Sequence, residues 1–233
     1  MILKILMGTG SFTQMSDQLI LKFPSNKIYQ KEDFYVSPSN QKAYDFINSW
    51  PNWIKRIINI FGPSGSGKSH LASVLKNKTT CLYVNSNELD DKVFLKLKTQ
   101  EVLIIENMDD KISEKILYSL WNSVIQDNKY FLITSIKPIN AYKFKLRDLK
   151  SRINSCLNIG INLPSDDLIS VILAKNFSDK QISVDKKHID YIIKRIDRSY
   201  EKISQFILTL DRYSLKKGTP FSLKLVKEVL KMI

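Results

Sequence analysis

The octet Gly62-Pro63-Ser64-Gly65-Ser66-Gly67-Lys68-Ser69 carries the most legible chemistry in the chain. Its glycines let successive backbone N–H groups converge on the oxygens of a phosphate, a path that bulkier residues resist. A helix that begins at its end adds the partial positive charge of its unpaired N–H groups. Lys68 is placed to neutralise β- and γ-phosphates, and the Ser69 hydroxyl to ligate Mg²⁺. The octet stands between the apolar run Ile57–Phe61 and the periodic segment Ser69–Lys76, the strand–loop–helix setting that this chemistry needs. The pattern implies a bound nucleoside di- or triphosphate.

A second acidic element is expected at the end of a later strand, where a carboxylate holds Mg²⁺ and a neighbour orients water. The run Val102–Ile105 ends in Glu106-Asn107. Glu106 suits the metal role. Asn107 stands where a carboxylate base is expected, and an amide cannot accept the proton of an attacking water. Binding with weak intrinsic ATP hydrolysis follows as the expectation.

Five apolar runs read as buried strands: Ile57–Phe61, Cys81–Val84, Val102–Ile105, Phe131–Thr134 and Leu157–Leu163. Helical periodicity fills the intervals, as in Ser113–Gln126, so an α/β fold with a parallel sheet is predicted. Beyond Pro164 only amphipathic segments remain: Asp166–Asn176, Asp185–Ile196, Tyr200–Leu215 and Ser222–Ile233. Ser165-Asp166-Asp167, Ser183-Val184-Asp185 and Thr219-Pro220 supply the start signals. The predicted organisation is a tail over 1–30, an α/β nucleotide domain over 31–164 and an all-helical domain over 165–233.

With 233 residues, 43% of them hydrophobic, the chain can bury a real core. Net charge is +13, which points to an acidic partner such as nucleic acid, yet only six of the 36 basic residues are Arg. That Lys-rich bias is also what A/T-rich codons produce. Cys81 and Cys156 fit no metal spacing and read as reduced core thiols. No run approaches the roughly 18 apolar residues of a membrane span, and Met15 is a second candidate start. Ahead of the domain, Gln18-Leu19-Ile20-Leu21-Lys22-Phe23 is followed by Pro24. It reads either as an edge strand or as a peptide held out for a partner.

The segments GPSGSGKSHLASVL, VLIIENMD, FLITSIKP and LRDLKSRINS, in this order, resemble the AAA+ ATPase domain of the bacterial replication initiator DnaA. The similarity runs from about Gln18 to the C-terminus. It implies an AAA+ P-loop NTPase domain followed by a helical lid, with ADP or ATP and Mg²⁺ as ligands. By the same resemblance EDFYVSPSNQKAYDFI lies against the adenine, through Tyr35 and Val36. Gly62, Ser64, Gly65, Ser66, Gly67, Lys68, Ser69 and His70 would surround the phosphates. Ser135 falls at the sensor-one position, and Arg152 matches the arginine finger that reaches a neighbouring subunit's nucleotide. Arg198 falls at sensor two, with Arg195 or a lid ion pair as the alternatives.

A DnaA-type ATPase domain that closes with its lid is similar to the Hda type of DnaA-related regulator. That type carries a sliding-clamp-binding peptide ahead of its ATPase domain. The resemblance implies a cytoplasmic negative regulator of replication initiation that docks on the DNA polymerase clamp through Gln18, Leu21 and Phe23. It would stimulate hydrolysis of DnaA-bound ATP through Arg152, with duplex DNA beside the clamp as a further contact and homo-oligomerisation left open. Its rivals are a helicase loader or plain adaptor acting in initiation without stimulating DnaA, and a self-sufficient ATPase.

Overall fold

The computed structural model describes residues 34–180, 182, 184–217 and 221–233. A short helix α1 (Gln41–Asn48) leads into β1 (Ile57–Phe61) and α2 (Lys68–Lys76). There follow β2 (Cys81–Asn85), α3 (Lys92–Leu97), β3 (Val102–Met108), α4 (Glu114–Gln126), β4 (Tyr130–Ser135), α5 (Arg147–Ile153) and β5 (Leu157–Gly160). The five strands form one parallel sheet in the order β2-β3-β4-β1-β5.

Position in the sheet explains the strand compositions. The central strands β1, β3 and β4 are covered on both faces and are almost wholly buried, as continuous Ile, Leu and Val runs require. The edge strands β2 and β5 are half-buried, not buried as their sequences suggested. An apolar run reports contact with one or two layers, but not whether a strand has one neighbour or two. β5 also stops at Gly160, short of the expected Leu163. Ile161 N–H still bonds Phe61 O at 2.7 Å, but Asn162 N–H turns to Ser39 O at 2.9 Å, and the chain leaves the sheet.

Two apolar layers sandwich the sheet. Leu71, Ala72 and Leu75 of α2 pack with Ala43 and Ile47 of α1 on one face. On the other, Val93, Leu117, Trp121, Leu149 and Ile153 draw α3, α4 and α5 into a single cluster. Trp121 meets Phe131 edge-on at 5.8 Å, a favoured arrangement for two buried rings. The helix after β1 and the helix after β4 therefore take opposite faces although their strands are neighbours. That divergence opens a crevice at the carboxyl ends of β1 and β4, where α/β sheets bind ligands.

Behind Pro164 lie α6 (Asp166–Asp179), α7 (Lys186–Ile193), α8 (Tyr200–Lys217) and α9 (Leu223–Leu230). Ser165 caps α6, its hydroxyl accepting from Leu168 N–H at 3.3 Å, with Asp166 and Asp167 in the first turn. Ser222 caps α9 in the same way; Ser183, Thr219 and Pro220 lie outside the described residues. The four helices have their own apolar centre, built on Leu173, Ile192, Phe206 and Val226. No helix among the described residues is long and apolar enough to cross a membrane.

Two predictions follow from this packing. Phe206→Ala, at a fully buried position of the helical layer, should cost about 3–5 kcal/mol. Hydrogen exchange should then rise in α6–α9 while β4 amides stay protected; equal loss in both would show one shared core. The second concerns the thiols, whose burial pushes Cys156 up to about 12 and Cys81 up to about 11. Unfolded thiols ionise near about 8.5, so above that pH the unfolded chain binds fewer protons. Stability should be full below that point and fall as pH rises toward 11, read from urea midpoints; Cys156→Ala should flatten the decline.

Candidate functional site

The phosphate loop is built by two residues whose backbone few side chains tolerate. Gly65 has φ +76° and Gly67 φ +91°, both in the left-handed region that glycine enters without steric cost. Space is closed as well: a Cβ on Gly67 would come within 2.6 Å of the Phe34 ring, and one on Gly65 within 3.1 Å of Tyr200 Cβ. The loop is stitched to the sheet by Gly62 N–H, which bonds Ser135 O at 3.1 Å.

Lys68, the first residue of α2, is only 7% exposed. Its ammonium folds back over the loop and donates to Gly62 O and Pro63 O, both at 2.8 Å. Burial lowers its proton affinity, and the Glu106 charge works in the opposite direction. Glu106 is itself buried near the end of β3. One carboxylate oxygen accepts from the Tyr83 hydroxyl; the other, Oε1, is buried without a hydrogen-bond partner among the described residues. A buried carboxylate oxygen of that kind suits a hard cation. Mg²⁺ takes one or two protein oxygens, phosphate oxygens and water, so Glu106 with the Ser69 hydroxyl fits it. Bound there, the ion would shield phosphate charge. The buried Ser66 hydroxyl likewise has no partner among the described residues.

Asn107 has φ +55°, and the β3–β4 register shifts between Ile105 and Met108. Its N–H donates to Thr134 Oγ1 at 3.1 Å and its carbonyl accepts from Ser86 Oγ at 2.7 Å. Asparagine adopts this left-handed backbone more readily than most residues, so Asn107 has a conformational reason besides its position in the site. A cleft of about 470 Å³ opens beside it, lined by Asp109, Asp110, Ser135, Lys137 and Tyr142. Ser135, at the end of β4, is buried. Its hydroxyl accepts from Asn59 Nδ2 at 2.8 Å and donates to Lys137 O at 2.7 Å. In this arrangement it ties β1, β4 and the following turn together, with its proton already engaged.

The remaining predicted residues lie apart. His70 is buried, its ring 5.2 Å from that of Phe34, which stacks in turn on Tyr44 at 5.7 Å. Tyr35 is 51% exposed and Val36 half-buried, so Phe34, not Tyr35, is the ring against the loop. Arg198 is held by Asp166 in a forked pair, both contacts 2.9 Å, the lid ion pair that the sequence left open. Arg195 lies over the Tyr191 ring at 3.7 Å. The helical layer touches the loop through Tyr200 instead. Its hydroxyl bonds Asn162 O at 3.2 Å and Ser39 Oγ at 3.4 Å, joining that layer, the connector and the entry segment beside Gly65. Arg152 rests over the Tyr118 ring at 5.4 Å, on the sheet face opposite α2. Gln18, Leu21 and Phe23 lie outside the described residues. Among the described residues no cluster of three His, Cys, Asp or Glu forms a separate metal centre.

Sequence reading missed Asn59, Tyr83, Phe34 and Tyr200. Only Asn59 carried a signal, as the one polar residue within IINIF; the others work through contacts between segments distant in sequence. The Tyr83 bond generates a test. Tyr83→Phe should weaken Mg²⁺ binding to the nucleotide complex by about tenfold, leaving ADP affinity in chelator unchanged. Lys68→Ala should weaken ADP with and without Mg²⁺. Equal Mg²⁺ dependence in Tyr83→Phe and wild type would remove Glu106 from the metal role.

No protein-family profile matches the chain. It is 26% identical to the chromosomal replication initiator protein DnaA of Campylobacter jejuni (strain 81116) across 233 aligned positions, covering 88% of this chain and 53% of that one. To DnaA of Borreliella burgdorferi (strain B31) it is 25% identical, covering 89% of this chain and 48% of the relative. The chain thus spans about half the length of the curated relatives it matches. In three dimensions it matches domain III of Thermotoga maritima DnaA with a TM-score of 0.70 at 19% identity, over 90% of this chain and 98% of that one. AMPPCP-bound DnaA from Aquifex aeolicus matches at 0.67 and 18% identity, over 80% of this chain and 66% of that one. The chain is DnaA-like in sequence, and its fold is that of domain III of DnaA.

Proposed function

We propose that this chain is a DnaA-related regulator of replication initiation that binds ADP or ATP and lends Arg152 to ATP held by DnaA. The observation that carries this reading is the placement of Arg152. It lies across the sheet from α2, and no carboxylate pairs with it among the described residues. An arginine paired with no carboxylate, on a helix across the sheet from its own phosphate-loop helix, is suited to another molecule's phosphate. Stabilising charge on a transferring phosphoryl group is worth about 10³–10⁵ in rate.

In this reading Lys68, the loop N–H groups and the N-terminus of α2 hold the chain's own nucleotide, with Glu106 and Ser69 on Mg²⁺. Asn107 puts an amide where a carboxylate base is expected, so the chain's own nucleotide is hydrolysed slowly and serves to set the helical layer through Gly65 and Tyr200. Gln18, Leu21 and Phe23 bring the protein to the DNA-loaded sliding clamp, with two apolar anchors and one hydrogen-bonding amide. The net charge of +13 favours approach to duplex DNA beside the clamp. Action follows in the cytoplasm wherever clamp and initiator meet.

The assay is ATP decay on purified DnaA with DNA-loaded clamp and this protein. Wild type should accelerate decay, Arg152→Ala should return it to background, and Phe23→Ala should lose the dependence on clamp. Equal stimulation by wild type and Arg152→Ala would overturn the proposal. The curated relatives, which are DnaA itself, favour one second reading: a DnaA-like initiator, helicase-loading or adaptor domain acting without stimulating DnaA. Brisk ATP turnover by the chain alone, or retention by helicase and not by clamp, would support that one.

A further inference from the structure

Helix α4 holds α5, the helix that carries Arg152, at two points one turn apart. At its first residue, Glu114 accepts Lys145 N–H at 2.9 Å on both carboxylate oxygens and Leu146 N–H at 2.8 Å. Leu146 is the N-cap position of α5 and supplies no side-chain cap of its own. The carboxylate of the neighbouring helix therefore ties down the two residues from which α5 departs. Those bonds, Leu146 foremost, hold the Glu114 carboxyl below its ordinary range. Four residues on, and so on the same side of α4, Tyr118 places its ring under the Arg152 guanidinium at 5.4 Å. Leu149 and Ile153 fix the buried side of α5 among Leu117, Leu120 and Trp121.

We propose that Glu114 and Tyr118 are positioning residues for Arg152, which they hold, paired with no carboxylate among the described residues, for a nucleotide phosphate on a partner protein. The proposal rests on the trans-acting role given to Arg152 above. Its physical content is the choice of an aromatic support. A carboxylate would hold the guanidinium equally well but would neutralise it, as Asp166 does for Arg198. A ring face attracts the cation and leaves its charge in place. An arginine already held also loses less rotamer freedom when it docks, so reaction geometry is reached more often. Arg147 and Lys150, exposed on the same helix, add positive charge against the single carboxylate of Asp148. The surface around the finger is thus matched to an anionic partner site.

The experiment uses the full chain and two readouts. One is the Arg152 side-chain Nε–Hε resonance, assigned by its loss in Arg152→Ala. The other is DnaA-bound ATP decay with loaded clamp, titrated with this protein to separate maximal rate from half-saturating concentration. Tyr118→Leu should shift the resonance as the ring current disappears, and lower maximal stimulation about three- to tenfold with half-saturation unchanged. Tyr118→Phe, which keeps the ring, should restore both and so exclude a folding defect. Glu114→Ala should lower maximal stimulation with ADP affinity unchanged. An unmoved resonance in Tyr118→Leu overturns the proposal, as does full stimulation by Tyr118→Leu when Arg152→Ala is inert. Full stimulation by Glu114→Ala removes Glu114 from it. Undiminished stimulation by Arg152→Ala would instead sink the trans-acting role itself, and the resonance would still decide whether Tyr118 holds the arginine.

Discussion

Lys68 is a cation kept at the carboxyl edge of the sheet in surroundings that oppose its charge. Burial lowers its proton affinity, the Glu106 charge works in the opposite direction, and two loop carbonyls accept its hydrogen bonds. Much of the local structure serves that requirement. Glycine at 65 and 67 bends the loop so that the carbonyls of Gly62 and Pro63 reach the ammonium. Tyr83 fixes one oxygen of Glu106, and the other has no hydrogen-bond partner among the described residues. A phosphate arriving there would meet an ammonium and N–H groups already ordered, so little reorganisation opposes binding.

Order in the sheet makes this arrangement possible. Asn59 stands in the middle of β1, fully buried, where a polar side chain without partners would be costly. It has three: it donates to Ile133 O and Ser135 Oγ and accepts from Ile139 N–H. One amide thus locks β1 to β4 and to the turn after it, next to the point where the phosphate loop begins. Ser135 gains its fixed position from this contact, so what stabilises the core also shapes the site.

The core strands and the loop were legible because each depends on residues adjacent in sequence. A run such as VLII is buried on both faces wherever it lies in a sheet, and a glycine pattern sets its own turn. The edge position of β2 and β5 was not legible, since it depends on the order of strands and not on composition. Arg198 was ambiguous for a related reason. An arginine at a helix start can face a ligand or a carboxylate, and only the fold brings Asp166 within 2.9 Å of it. Tyr200 and Phe34 close on the loop from segments distant in sequence, and no spacing rule connects them to it. Asn107 was read for its chemistry alone, whereas its left-handed backbone gives a second cause for the same residue.

That double cause bears on how a site of this kind can lose its own chemistry without losing its shape. A carboxylate at 107 would sit next to the carboxylate of Glu106, and like charges at close range destabilise each other. Asparagine removes that repulsion and keeps the bonds to Ser86 and Thr134, because they are made by backbone atoms. An amide at 107 leaves the phosphate-binding groups in place but offers no proton-accepting carboxylate at that position. Arg152, meanwhile, lies across the sheet from α2 and keeps its charge. In the proposed reading such a division separates holding a nucleotide from accelerating its hydrolysis, with Arg152 left for the nucleotide of a partner.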